Sequence, residues 1–210
     1  MRPFNSESGG DAIRVLMQGL KAGSFRNRIV AGEVLGITAF SRGGGGRGGS
    51  LERVGASRKG TMKSFRKIMV AVDFSDHSLA SFRQGVKLAR DLKAELLLVN
   101  VVNQSNVDVM QRIAQQAPKF SVQHYLAETV KDREASFRNL ILTSKCAGLS
   151  IVTRIRIGHP FQELLKAVEK DKPDLLIMGV KGRGNLVETV IGSCAQKMFR
   201  RCPIPLLVIR

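Results

Sequence analysis

Tryptophan is absent from the 210-residue chain, tyrosine occurs once and aromatic residues amount to only 5%. Any interior must therefore be aliphatic, and 43% apolar residues are enough to build one of the α/β kind. No apolar run reaches the roughly 18 residues that a bilayer-spanning helix needs, so nothing here spans a membrane. Cysteine is scarce: Cys146, Cys194 and Cys202 are odd in number and show no Cys-x2-Cys spacing. That argues against a disulfide framework and for reduced thiols in a cytoplasmic protein. Cys194, beside a helix start, could have a lowered pKa; the competing role is a small residue packed inside. Ile29 to Phe40 is moderately apolar, but Glu33 interrupts it and no cleavage pattern follows, so it does not read as a secretory leader. Acidic residues are the other shortage. Seventeen Asp and Glu face 34 Lys and Arg, giving a net charge of +17 and a pI near 10.6. Such a balance suits polyanions, although much of it can equally be a solvated surface.

Glycine is abundant but unevenly placed. Fourteen of the 21 glycines lie in residues 1–61, where Arg42-Gly-Gly-Gly-Gly-Arg-Gly-Gly-Ser50 is of low complexity. A stretch of that kind buries too little to offset its chain entropy. Residues 1–61 are therefore expected to be a Gly/Arg-rich extension, disordered or not part of the native protein, ahead of a domain at 62–210. Met62 stands at the junction as a candidate start. Ile13, Leu16, Met17 and Leu20 could share one face of a short helix, which Gly19 and Gly23 weaken. An Arg-Gly segment can bind RNA, but with no aromatic residues among these glycines a flexible linker is the favoured role.

From Lys67 onward, short apolar runs alternate with amphipathic stretches. Ile68–Val72 reads as a buried strand ending at Asp73. A helix of about 15 residues should follow, with Leu79, Phe82, Val86 and Ala89 on its inner face and Ser75 or Asp76 as cap. Glu95–Val102 is the second strand, and residues 103–121 are a polar, partly helical connection. Val122–Cys146 should form a long helix ended by Gly148. Ser150–Ile157 is the third strand, residues 160–170 a helix, Leu175–Met178 the fourth strand and Ile204–Ile209 the last. Strands separated by helices imply parallel pairing with right-handed crossovers.

The most informative stretch follows the fourth strand. Leu175–Met178 stops at Gly179, and Gly182, Gly192 and Ser193 complete the spacing Gly-x2-Gly-x9-Gly-Ser before a helix. Without a β-carbon the chain can turn sharply and bring its N–H groups close to a ligand. The helix N-terminus favours an anion, Ser193 adds a hydroxyl, and Lys181 and Arg183 lie within the loop. A plain surface loop, with Ser193 capping its helix, is the alternative for the glycines taken alone. Other chemistries find little support. His77, His124 and His159 are scattered without metal spacing. Neither Gly-x4-Gly-Lys-(Ser/Thr) nor Gly-x-Ser-x-Gly occurs, and no general base is aimed at a water.

With Lys67-Ile-Met-Val-Ala-Val-Asp-Phe-Ser75 at its start and Pro203-Ile-Pro-Leu-Leu-Val-Ile209 at its end, this region resembles the universal stress protein family. The family's nucleotide-binding signature is the same glycine spacing. The resemblance implies an open doubly wound five-stranded parallel sheet of order 3-2-1-4-5, helices on both faces. Its ligand crevice would fall between the strands ending at Asp73 and Met178. It further implies that Ala71, Val72 and Asp73 frame an adenine and that Val101 packs on it. Gly179, Lys181, Gly182, Gly192, Ser193 and Cys194 would surround ribose and phosphates, and Met178 is a further expected cofactor-binding residue. The expected ligand is ATP, with or without Mg2+, in a cytoplasmic regulatory module whose hydrolysis, if any, is slow. A true ATP-using enzyme and an RNA-binding protein led by the Arg-Gly segment are the rivals. In the order 3-2-1-4-5 the nearly all-apolar strand 204–209 lies at an edge and invites a second copy, as homodimers of the family pair. Coverage by the chain's own N-terminal segment is the alternative.

Overall fold

The computed structural model describes residues 65–117, 120–182 and 191–210, with the backbone of 29–30. The strands are β1 (Ile29–Val30), β2 (Lys67–Ala71), β3 (Glu95–Asn103), β4 (Ile151–Gly158), β5 (Leu175–Gly179) and β6 (Leu206–Ile209). The helices are α1 (Asp76–Leu92), α2 (Gln104–Gln116), α3 (Val122–Thr143), α4 (Pro160–Asp171) and α5 (Ser193–Arg201). All strand pairs are parallel, in the spatial order β1-β6-β5-β2-β3-β4. Leaving β1 aside, the five strands of the domain run 3-2-1-4-5, so the winding reverses between β2 and β5.

Period-two alternation sends successive side chains to opposite faces and makes two cores. Ile68, Val70, Leu96, Leu98, Leu175 and Ile177 pack with Phe82 and Val86 of α1 and Phe137 of α3. Met69, Leu97, Val99, Leu176 and Met178 pack instead with Leu164 and Val168 of α4 and Met198 of α5. Burial on both faces explains why these strands read as unbroken apolar runs. The sheet is also pinned at its lower end. Asp174 Oδ2 accepts from the backbone N–H groups of Arg66 (2.9 Å) and Lys67 (3.1 Å), tying the start of β5 to that of β2.

The structure departs from the sequence expectations in four places. Residues 104–116 form a complete helix, with Val107, Met110 and Ile113 at helical spacing and Val107 alone buried. Helix α3 stops at Thr143 rather than Cys146, because Cys146 turns into the core; Gly148 then takes a positive φ of 78° in the turn beyond. The last strand begins at Leu206 rather than Ile204, since Pro205 has no N–H to add to a ladder. Its carbonyl still accepts from Leu176 N–H at 3.0 Å. Finally, Ile29 and Val30 pair with Leu207 and Val208, so two residues of the N-terminal extension lie on the edge of β6. The apolar face proposed around Ile13–Leu20, the Arg42–Ser50 stretch and Met62 fall outside the described residues.

Helix α4 is held to β4 by one buried acid. Glu163 accepts from Arg156 Nε at 2.8 Å and from Lys166 Nζ at 2.7 Å, and the residue is 8% exposed. Gly158 has φ +148°, and a β-carbon there would lie 2.8 Å from Glu163 Cγ. The Lys166 bond first, and Arg156 with it, hold the carboxyl below its ordinary range against the opposing effect of burial. A depressed folded-state pKa stabilises above the unfolded value of about 4.3, and the gain disappears as pH falls through the folded value. Glu163→Gln should therefore lower the melting temperature at pH 7, and the gap to wild type should close in acid below about pH 4. Melting curves across pH check both the sign and the window.

Candidate functional site

Three segments meet beyond the carboxyl ends of β2 and β5. The first is the turn after β2. Asp73 Oδ1 accepts from Ser75 N–H at 3.0 Å and from Ser75 Oγ at 2.6 Å. Ser75 is the N-cap of α1, and its Oγ accepts from Ser78 N–H at 3.4 Å. The Asp73 carboxylate is thus oriented by the start of the helix that follows it. Between them Phe74 adopts φ 62°, a left-handed conformation that costs a residue with a β-carbon roughly 1–2 kcal/mol.

The second segment is Gly179–Gly182. A β-carbon on Gly179 would lie 2.9 Å from His77 Cβ and 3.0 Å from His77 backbone carbon, so this glycine lets β5 pass close to the first turn of α1. On Gly182 it would lie 2.6 Å from Asp73 Oδ2. The loop backbone therefore lies directly against the carboxylate. Lys181, the residue before Gly182, is half-buried. Arg183 and the rest of the loop through residue 190 lie outside the described residues.

The third segment opens α5. Gly192 N–H donates to Val180 O at 2.9 Å, and a β-carbon on Gly192 would lie 3.2 Å from that oxygen and 3.3 Å from Lys181 Cα. Gly192 itself is the N-cap, leaving Ser193 as the first helical residue with its side chain exposed. Ser193 is therefore not the cap that a plain surface-loop reading would make it. Cys194 is partly buried beside Asp73. Burial above all, then the Asp73 carboxylate, push its thiol up to about 11, with Lys197 opposing. The lowered pKa suggested by its place near a helix N-terminus is thus corrected: desolvation and a neighbouring carboxylate outweigh the dipole, which favours the protonated thiol at neutral pH.

The sheet assigns the remaining expected residues to different faces. Ala71, Val101, Met178 and Cys194 belong to the α4–α5 side. Val72 is turned to the α1–α3 side and is 2% exposed, so only its backbone can face a ligand in the crevice. Its carbonyl accepts from Asn100 Nδ2 at 2.7 Å, while the buried Asn100 Oδ1 has no hydrogen-bond partner among the described residues. Asn100 stands at the register position where the β2–β3 ladder would otherwise continue. It was detectable in the sequence as the one polar residue inside Leu96–Val102. His77 and the left-handed Phe74 carry no comparable sequence signal.

The fold and this arrangement define a doubly wound α/β protein with a glycine-lined crevice at its topological switch point. The family model described as universal stress protein family matches residues 64–210, and the chain belongs to that family. Universal stress protein MJ0531 of Methanocaldococcus jannaschii is 25% identical over 147 residues, covering 70% of this chain and 82% of the relative. Universal stress protein YxiE of Bacillus subtilis is also 25% identical over 147 residues, covering 70% and 99%. Among solved structures, the universal stress protein UspA from Lactobacillus plantarum superposes with a TM-score of 0.54 at 21% identity, covering 70% of this chain and 98% of that one. The hypothetical protein MJ0577 gives a TM-score of 0.57 at 21% identity, covering 70% and 96%. Among the described residues no helix is long and apolar enough to cross a membrane.

Proposed function

We propose that the crevice binds an adenine nucleotide, ATP with or without Mg2+, and that the protein is a cytoplasmic nucleotide-dependent regulatory module of the stress response. The observation that supports this reading is the convergence of Asp73, Gly179–Gly182 and Gly192–Cys194, in which a β-carbon on Gly182 would lie 2.6 Å from Asp73 Oδ2 and one on Gly179 would lie 2.9 Å from His77 Cβ. Such a cradle suits phosphates, which need backbone N–H groups at close range and the positive end of a helix. Asp73 supplies an acceptor for an adenine amino group or a ribose hydroxyl, and Ala71, Val101 and Met178 supply apolar contact. The thiol of Cys194, held protonated, acts as a packing group and not as a nucleophile.

Asp73→Ala removes a charged hydrogen-bond partner and should weaken ATP binding by about 1–3 kcal/mol, roughly 5- to 150-fold, without unfolding the protein. Equilibrium titration of ATP into both proteins measures it; equal affinities would remove Asp73 from the site. Hydrolysis should be slow at most. Multiple-turnover ADP production from clean protein would favour an enzyme. Steeply salt-dependent RNA binding that disappears with residues 1–61 would favour the Arg-Gly segment as the working part.

We also propose that the edge of β6 pairs with a second copy of the chain. Leu206–Ile209 is entirely apolar, and among the described residues β1 covers it at two positions. A two-residue parallel strand is a weak occupant of such an edge, and a longer strand from a partner would replace it.

A further inference from the structure

We propose that Phe74 is a positioning residue for the nucleotide site, and that helix α3 holds it in place. This inference rests on the nucleotide reading. Phe74 follows Asp73 directly and has φ 62°, a conformation that favours glycine and that no local hydrogen bond from a Phe side chain can support. Its ring explains the conformation. The centroid lies 5.2 Å from that of Phe137 at an interplanar angle of 58°, and the Arg133 guanidinium carbon sits 5.6 Å from the Phe74 centroid. Phe137 is 1% exposed and belongs to the core that carries α1 and α3. Tertiary packing from α3 thus holds a backbone geometry that the turn would leave on its own.

The consequence falls on Asp73. With Phe74 left-handed, the chain doubles back so that Ser75 N–H and Oγ both reach Asp73 Oδ1, and Oδ2 is left facing Gly182. If Phe74 relaxes to an ordinary conformation, Ser75 moves away and the carboxylate loses its aim. The crevice is therefore coupled to α3, whose Phe137 is a core residue of the opposite face from Ala71 and Val101.

Substitutions at Phe74 separate positioning from packing. Phe74→Ala removes the ring but keeps the strain, whereas Phe74→Gly removes the ring and the strain together. In the full-length protein titrated with ATP, Phe74→Ala should bind about tenfold more weakly than wild type, and Phe74→Gly within about threefold of it. Lost packing alone predicts the opposite order, because glycine deletes more of the side chain. Phe137→Leu keeps the core filled and lies outside the turn, so it tests the same link if Phe74→Ala fails to fold. It should weaken ATP binding about threefold, and in the Phe74→Gly background it should change nothing, since the ring it acts through is gone. Asp73→Ala in parallel separates the two levels of the account. If Asp73→Ala loses affinity while Phe74→Gly binds no better than Phe74→Ala, or Phe137→Leu binds as wild type, the positioning inference is overturned and the site stands. If Asp73→Ala binds as wild type, Asp73 leaves the site and the positioning inference falls with it; if wild type itself does not bind ATP, the nucleotide reading falls.

Discussion

Gly182→Val leaves the protein folded and reduces its affinity for ATP by more than about 150-fold, beyond the loss expected for Asp73→Ala. The reason lies in what surrounds Gly182. Its φ is not in the left-handed region, so a side chain imposes no backbone strain. A β-carbon would lie 2.6 Å from Asp73 Oδ2 and 3.7 Å from Asp73 Cγ. Among the described residues, the group that must give way is the end of a short carboxylate side chain, which can swing aside at small cost to folding. Swinging aside destroys the geometry at Ser75 and puts an isopropyl group where a phosphate would approach the loop. Gly182→Ala, with a single methyl, should show the intermediate loss. Gly179 behaves differently. There the added atom meets the backbone of α1 at His77, which cannot move alone, so Gly179→Ala should lower the melting temperature as well as the affinity. Melting curves and ATP titrations on the variants separate the effects. A folded Gly182→Val protein that binds ATP as tightly as wild type would remove this loop from the site.

The second large effect is on assembly. A chain of residues 62–210 should sediment as a dimer at micromolar concentration, whereas the full chain should require a higher concentration to dimerise. The family-matched region begins at residue 64, and relatives of nearly that length are folded proteins, so the shortened chain has all the elements of the domain. Losing β1 exposes the backbone groups of Leu207 and Val208 along an edge with no charged residue inside the strand. The barrier to pairing is then only the ordering of two copies. Val208→Lys puts a charge in the middle of that edge and should give monomer or aggregate. A stable monomer of unmodified 62–210 at micromolar concentration would exclude the interface and leave β1 without a competitor to displace.

What could be read from the sequence follows the strength of each physical signal. Strands buried on both faces announce themselves as apolar runs, and β2, β3 and β5 lie within about two residues of their expected ends. The glycine spacing pointed to the loop after β5 because absent β-carbons permit the close approaches seen at Gly179 and Gly182. Helix α2 has Val107, Met110 and Ile113 at helical spacing, but its many polar residues and the burial of Val107 alone made it read as a connection that is only partly helical. The division of Ala71 and Val72 between opposite faces follows from strand alternation and could have been drawn before any coordinates. Phe74 could not: nothing in Val-Asp-Phe-Ser says that a phenylalanine will be left-handed, because the cause is Phe137, distant in sequence. The thiol of Cys194 is a similar case. Its place beside a helix N-terminus was legible, whereas the burial and the facing Asp73 carboxylate that raise its pKa arise only in the folded chain.

The central claim is that an adenine nucleotide occupies the crevice between the turn after β2 and the loop leading into α5. An amide NMR spectrum of the isotope-labelled full chain, titrated with ATP, tests it residue by residue. Saturable shifts should centre on Asp73, Val101, Gly179, Gly182, Gly192, Ser193 and Cys194, and should vanish in Gly182→Val. Saturable shifts that leave those amides unmoved and gather instead around Phe120–Tyr125, or on the Arg-Gly stretch at 42–50, would contradict it.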